Sequence, residues 1–173
     1  MTIEERIRKI RLLILDVDGV LTDGRIIYDN FGDTVKIFDV RDGLGIVLLG
    51  RVNIKVAIIS VGRSKAVTRR AKELRVIKVY QGVPDKLKVY DKLLRKLRLK
   101  DDEVSYMGDD LTDIPVMKRA GFAIGVPNSV DEVKGIAHYI TSHNGGRGAV
   151  REITDLIIRT QGKWDEVMAK YTV

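Results

Sequence analysis

Cysteine is missing from the 173-residue chain, which excludes a disulfide framework, thiolate metal ligands and a cysteine nucleophile and suits a reducing compartment. Aromatic residues make up only 6%, too few to supply the stacking platforms that accompany basic residues on nucleic-acid surfaces. No run of about 18 apolar residues occurs. The "TIEERIRKI" that follows Met1 also lacks the apolar core of a signal peptide. Pro/Gly-rich linkers, low-complexity tracts and internal repeats are lacking too. We therefore expect a single domain over 1–173, soluble and cytoplasmic, with neither a membrane nor nucleic acid as partner.

Charge is what the chain has in quantity. Net charge is +7, yet residues 63–100 hold 14 Lys and Arg against 3 Asp and Glu, so the remainder is net acidic. In "RRAKELR" and "KLLRKLRLK" the cations are spaced around leucines at helical intervals, and most read as solvated helix faces. Their concentration in one region suits an anionic partner. High charge with few Asn or Gln resembles the composition of heat-adapted proteins.

Apolar, β-rich runs ("RLLILDV", "KVAIIS", "VIKVY", "VSYMGD", "FAIGV", "HYITS") alternate with segments of helical period or composition ("GLGIVLLGR", "SKAVTRRAKELR", "DKLKVYDKLLRKLR", "DIPVMKRA", "SVDEVKGI"). Strands apolar at nearly every position and joined by helices predict a doubly wound, mainly parallel, Rossmann-like α/β sheet covered on both faces. After the first strand, "GRIIYDNFGDTVKIFDV" reads as an inserted β-hairpin over about 25–39, with "DNFG" at its turn. The tail, about 161–173, carries Trp164, Val167, Met168 and Tyr171 at i, i+3, i+4 and i+7, a short amphipathic pattern.

In a parallel α/β sheet, ligands gather at the carboxyl ends of the strands. Four polar signals fall at those ends: Asp16 and Asp18 after the first strand, Ser60 after the second, Lys86 beyond the third, and Asp109, Asp110 and Asp113 after the fourth. Each has a plainer reading, as solvated turn carboxylates, a capping hydroxyl, a helix-face lysine or an N-cap. Those readings leave their common edge unexplained. Clustered carboxylates with a lysine and a hydroxyl suit a hard cation such as Mg²⁺ together with a phosphate. His138 and His143 read as structural or solvated.

These residues resemble a family. "DVDGVLTDG", a Ser after the second strand, a Lys and "GDDLTD" are similar to the motif set of the haloacid dehalogenase superfamily of aspartate-nucleophile phosphatases. More closely, "LDVDGVLTDG", "FDVRDGLGI", "YQGVPDK", "YMGDDLTDIPVM" and "GGRGAVREITDLII" resemble its members that lack a cap domain and act on sugar-acid phosphates, a likeness running from 11 to about 163. The resemblance implies Asp16 as nucleophile and Asp18 as general acid and base. It implies Mg²⁺ on Asp16, the Asp18 carbonyl and Asp109, with Asp110 and Asp113 orienting metal-bound water. Ser60 and Lys86 would hold the phosphoryl oxygens. The implied substrate is 3-deoxy-D-manno-octulosonate 8-phosphate, on the way to lipopolysaccharide, with nonulosonate 9-phosphates as the alternative. The family usually reads Ser/Thr-Gly-Arg after the second strand. Here "SVGR" inserts Val61, so Arg63 falls one place late, and Arg70 aligns with a substrate-contacting arginine of the family.

Other readings are less well served. A phosphonate hydrolase resembling the family wants a Schiff-base lysine from a cap, a dehalogenase does not need Asp18, and a phospho-receiver domain wants an Asp ending the third strand, where "VIKVYQG" has none. A nucleic-acid binder is favoured by charge alone. Ile26, Tyr28, Val35, Ile37 and Phe38 give the hairpin more apolar surface than one domain is expected to cover, and the resemblance implies a homotetramer joined through hairpins. The tail is a second candidate lid, or else packs on its own domain.

Overall fold

The computed structural model describes residues 1–31 and 34–172. Its strands are β1 (Leu12–Leu15), β2 (Ile27–Tyr28), β3 (Thr34–Val35), β4 (Lys55–Ile59), β5 (Lys78–Tyr80), β6 (Val104–Met107), β7 (Phe122–Gly125) and β8 (Tyr139–Ile140). Its helices are α1 (Ile3–Arg8), α2 (Val40–Arg51), α3 (Lys65–Glu73), α4 (Lys86–Leu97), α5 (Ile114–Met117), α6 (Asp131–Lys134), α7 (Ala149–Thr160) and α8 (Trp164–Met168). Six strands form one parallel sheet in the order β5-β4-β1-β6-β7-β8, the doubly wound α/β arrangement expected.

The sequence of β1, Leu-Leu-Ile-Leu, explains its central place. Side chains alternate across a strand, so a strand buried on both faces must be apolar at every position. Leu13 and Leu15 enter a core formed with α1, α2, α3 and α7, while Leu12 and Ile14 enter a second core under α4, α5 and α6. β1 pairs with β4 on one side and β6 on the other, with Leu15 opposite both Ile58 and Met107. Crossovers leave β1 over one face and reach β6 over the other, so the crevice between these two strands is the switch point where a ligand finds room.

Capping fixes where the helices begin. Asp39 accepts the Arg41 N–H at 2.7 Å to start α2, and Asp85 accepts the Lys88 N–H at 3.1 Å to start α4, which sets Lys86 at the first helical position. α1 and α7 are absent from the expected elements. α1 is held by a reciprocal box in which Thr2 and Glu5 bond each other's backbone. α7 is anchored by Asp42, a buried residue of α2 that accepts the N–H groups of Arg151 at 2.8 Å and Gly148 at 3.4 Å.

β2 and β3 form the expected hairpin, antiparallel with Ile27 opposite Val35 and Tyr28 opposite Thr34. The turn residue Gly32 lies outside the described residues. Ile26, Tyr28, Val35 and Ile37 are exposed, as is Phe31, whereas Phe38 packs on the domain's own core. The tail packs on its own chain: Val167 is buried, the Arg159 guanidinium lies 3.5 Å from the Trp164 ring centre, and Arg51 donates to the Tyr171 hydroxyl at 2.9 Å. Arg51 ends α2, so this contact sits at the sheet edge opposite the strand carboxyl ends. No described helix is long and apolar enough to cross a membrane.

Asp42→Ala should lower unfolding stability by about 2 kcal/mol, because two N–H groups at the start of α7 lose their acceptor. Urea denaturation measures it, and an unchanged midpoint would show that Asp42 does not anchor α7.

Candidate active site

Asp16 leaves β1 at the crevice, its N–H donating to the Met107 carbonyl of β6 at 3.0 Å. Beside it, Lys86 from the start of α4 is 3% exposed and its Nζ lies 3.0 Å from Asp16 Oδ1 and 2.6 Å from Asp113 Oδ1. Asp113 is fully buried and has every lone-pair direction engaged. Its Oδ1 also accepts the Tyr106 hydroxyl at 2.6 Å, and its Oδ2 accepts the N–H groups of Asp109 at 3.0 Å and Asp110 at 3.2 Å. Asp113 therefore acts as a bracket that fixes both Lys86 and the "GDD" backbone.

Asp109 has no such support. Its Oδ1 is buried and without a hydrogen-bond partner among the described residues, and Asp109 lies in a cluster with Asp16 and Asp113 whose closest oxygens are all within 4.8 Å of one another. Burial, with the neighbouring Asp16 and Asp113 charges, pushes its carboxyl up to about 8. Burial and Asp113 push Asp16 up to about 7 against the pull of Lys86. On Lys86, burial favours the neutral amine, but the two carboxylates prevail and hold its pKa above the usual lysine value. Three carboxylates share one ammonium, and a second cation is what this oxygen set fits. Asp113 is already saturated, which leaves Asp16 and the unpartnered Asp109 as the side chains that could hold it.

Glycine makes this proximity possible. Gly19 has φ +87°, and a Cβ there would stand 1.9 Å from Asp109 Oδ2. Gly145, from the loop before α7, passes so close that a Cβ would meet the Gly19 carbonyl at 1.7 Å. Asn128 ties the two loops, donating to the Gly19 carbonyl at 2.9 Å and accepting from the Gly145 N–H at 2.8 Å.

Of the residues singled out from sequence, Asp16, Lys86, Asp109 and Asp113 meet in this cluster. Ser60 follows β4 and is buried, and with Asp18 and Arg63 it lines an adjoining cavity of about 160 Å³. Asp18 pairs with Lys36 at the exit of the hairpin. Asp110 is exposed and its Oδ1 caps the Leu111 N–H at 2.7 Å. Arg70 points elsewhere, to Glu73 at 3.3 Å and over Gly43. His138 accepts the Ala123 N–H at 2.9 Å and His143 pairs with Glu152 at 2.7 Å, both away from the cluster. A wider cavity of about 610 Å³ lies between α2 and α3, where Glu73 is the one carboxylate on its wall among the described residues; none of the clustered carboxylates lines it. Lys36, Tyr106 and Asn128 are absent from the sequence reading. The lysine in "DTVKIF" carries no motif, a strand tyrosine reads as core, and Asn128 in "VPNSV" reads as a turn.

A family model described as haloacid dehalogenase-like hydrolase matches residues 63–153, which takes in Lys86 and the "GDDLTD" loop. The 3-deoxy-D-manno-octulosonate 8-phosphate phosphatase of Salmonella typhi is 47% identical over 157 residues, covering 91% of this chain and 84% of that protein. The chain belongs to the haloacid dehalogenase-like hydrolase family. Two family structures extend the comparison. The 3-deoxy-D-manno-octulosonate 8-phosphate phosphatase of Moraxella catarrhalis, in complex with magnesium, phosphate and KDO, is 41% identical with a TM-score of 0.95, covering 98% of this chain and 97% of that one. A cobalt-bound phosphatase of Haemophilus influenzae for the same sugar phosphate is 36% identical with a TM-score of 0.88, covering 91% and 92%.

The raised carboxyls give a signed pH dependence. A carboxyl with a pKa near 7 or 8 is largely protonated below that value and must lose its proton to hold a cation. Mg²⁺ affinity should therefore rise between about pH 6 and pH 8.5, with protons released on binding. Calorimetric titration in buffers of different ionisation enthalpy reads this directly. Heats independent of buffer at pH 7 would contradict it.

Proposed function

We propose that the chain is a Mg²⁺-dependent phosphatase that hydrolyses 3-deoxy-D-manno-octulosonate 8-phosphate to the free sugar acid and phosphate. The observation that carries this reading is the meeting of buried Asp16 with half-buried Asp109 beside Lys86, with the buried Asp109 Oδ1 left unpartnered among the described residues. The similarity to the Moraxella catarrhalis enzyme supports the substrate. One domain over 1–173 performs the reaction in the cytoplasm, supplying lipopolysaccharide precursor synthesis.

Each role rests on position. Asp16 attacks phosphorus and forms an aspartyl-phosphate, while Asp18 protonates the departing sugar oxygen; in the second half Asp18 takes the proton from the water that attacks the acyl phosphate. Lys86 and Ser60 hold phosphoryl oxygens where charge gathers in the transition state. Asp16 and Asp109, with the Asp18 carbonyl, would hold Mg²⁺, which would supply the charge neutralisation that lets an anionic nucleophile and an anionic ester meet. Asp110 and Asp113 shape the loop that carries Asp109. Arg63, on the cavity wall beside Asp18, contacts the sugar acid, and Arg70 reaches it only if its pairing with Glu73 is released.

The exposed apolar residues of the hairpin support a homotetramer in which hairpins of neighbouring copies cover one another and help to close each site.

A phosphate-release screen tests the reaction. It should show the octulosonate 8-phosphate preferred over nonulosonate 9-phosphates and neutral sugar phosphates, with activity abolished by EDTA and restored by Mg²⁺. Asp16→Asn should lower kcat by about a thousandfold or more with the fold intact by circular dichroism. Full turnover in excess chelator, or by Asp16→Asn, would refute the mechanism. Ile37→Asp should dissociate the assembly in light scattering and raise KM for the sugar-acid ester; a wild-type monomer with full activity would remove the tetramer.

A further inference from the structure

Two lysines approach the site, and they are held very differently. Lys86 is locked between two buried carboxylates on the rigid sheet edge. Lys36 leaves the hairpin one residue after β3, and its ammonium bonds Asp18 Oδ1 alone among the described carboxylates. Although it belongs to an otherwise exposed insertion, its side chain is only 8% exposed, less than the 38% of the Asp18 side chain it meets. An ammonium has three donors, and one carboxylate oxygen uses one of them. Lysine is seldom buried this deeply with a single partner, as Lys36 is among the described residues, because the loss of hydration is then poorly offset.

The surroundings indicate what the spare donors face. Lys36, Arg63, Asp18, Ser60 and Tyr28 share the wall of the 160 Å³ cavity. Among the described residues its one carboxylate is already paired with Lys36, so a second anion entering there meets two cations and no unpaired described negative side chain. In the phosphatase reading Asp18 serves the leaving group, whereas Lys86 and Ser60 serve the phosphoryl group. A cation bonded to Asp18 therefore stands beside the leaving group.

We infer that Lys36 is a specificity residue that reads a negatively charged group on the leaving sugar, its carboxylate, and so selects sugar-acid phosphates over neutral ones. This rests on the phosphatase reading above and adds to it the residue that recognises the acid. Lys36 keeps its bond to Asp18 and gives its remaining donors to the substrate carboxylate, which ties the hairpin, the acid-base residue and the ligand into one chain of contacts. The inserted hairpin thus carries the choice of substrate, and the sheet edge carries the phosphate chemistry.

The test compares wild type, Lys36→Met and Lys36→Arg with Mg²⁺ on 3-deoxy-D-manno-octulosonate 8-phosphate and on glucose 6-phosphate, with circular dichroism to confirm folding. The ratio of kcat/KM for the acid over the neutral ester should fall by about tenfold or more in Lys36→Met, through KM for the acid, and recover most of that loss in Lys36→Arg. An unchanged ratio, or an equal loss on both esters, would show that Lys36 only steadies Asp18 or the hairpin and would overturn the inference. A second measurement needs no turnover: calorimetric binding of free 3-deoxy-D-manno-octulosonate should be detected with wild type and Lys36→Arg and be at least about tenfold weaker with Lys36→Met. If wild type hydrolyses no phosphate ester, the phosphatase reading fails, and this binding comparison still decides Lys36. Equal binding by wild type and Lys36→Met, or none by wild type, rejects it.

Discussion

The Lys86 ammonium, buried between Asp16 and Asp113, is the contact on which the rest of the site depends. One positive charge inside a ring of carboxylates cannot neutralise them all, and moving ions out of water costs several kcal/mol each unless partners make good the loss. The fold distributes this shortage unequally. Asp113 receives four donors and is satisfied, Asp16 receives one ammonium, and Asp109 keeps a buried oxygen with no partner. The deficit is concentrated where a divalent cation would relieve it. A binding site built this way stores its affinity as an unmet need of the folded chain.

Backbone geometry maintains that shortage. Asp16 and Asp109 follow neighbouring strands held in register, so neither can withdraw without breaking ladder bonds. Gly19 and Gly145 bring two loops into contact over the carboxylates, and Asn128 bonds both. Among the described residues the hairpin is attached by side chains that include Phe38 against the core and Lys36 against Asp18. The carboxylate cluster and the insertion thus lie on one strand-end crevice.

Much of this is legible in the sequence because hydropathy marks strand ends and strand ends mark the site. The run Leu12–Leu15 announces a doubly buried strand, and Asp16 must then emerge at its carboxyl end. Ser60, Lys86 and the Asp109–Asp113 segment follow by the same logic. What escapes is the long-range part. Tyr106 reads as core, and its hydroxyl meets Asp113 only because the turn after β6 folds back over the strand. Lys36 and Asp18 are 18 residues apart and meet through the path of the hairpin. α1 is too short and too polar for periodicity to reveal, though Thr2 and Glu5 carry the capping spacing. α7 has the missed signal in plain view: Val150, Ile153, Ile157 and Ile158 recur at helical spacing. The hairpin strands are shorter than their β-rich residues suggest, since neither strand joins the main sheet.

The alternation of β1 between two cores bears on the accuracy of folding itself. A slip of one residue in β1 would send Leu13 and Leu15 to the opposite face, mismatch both cores, and carry Asp16 about 3.3 Å along the strand away from Asp109. Packing errors and catalytic errors are therefore the same error. A molecule whose central strand is mispaired is unstable before it is inactive, so cellular surveillance that recognises only unfolded chains also removes chains whose Asp16 is misplaced.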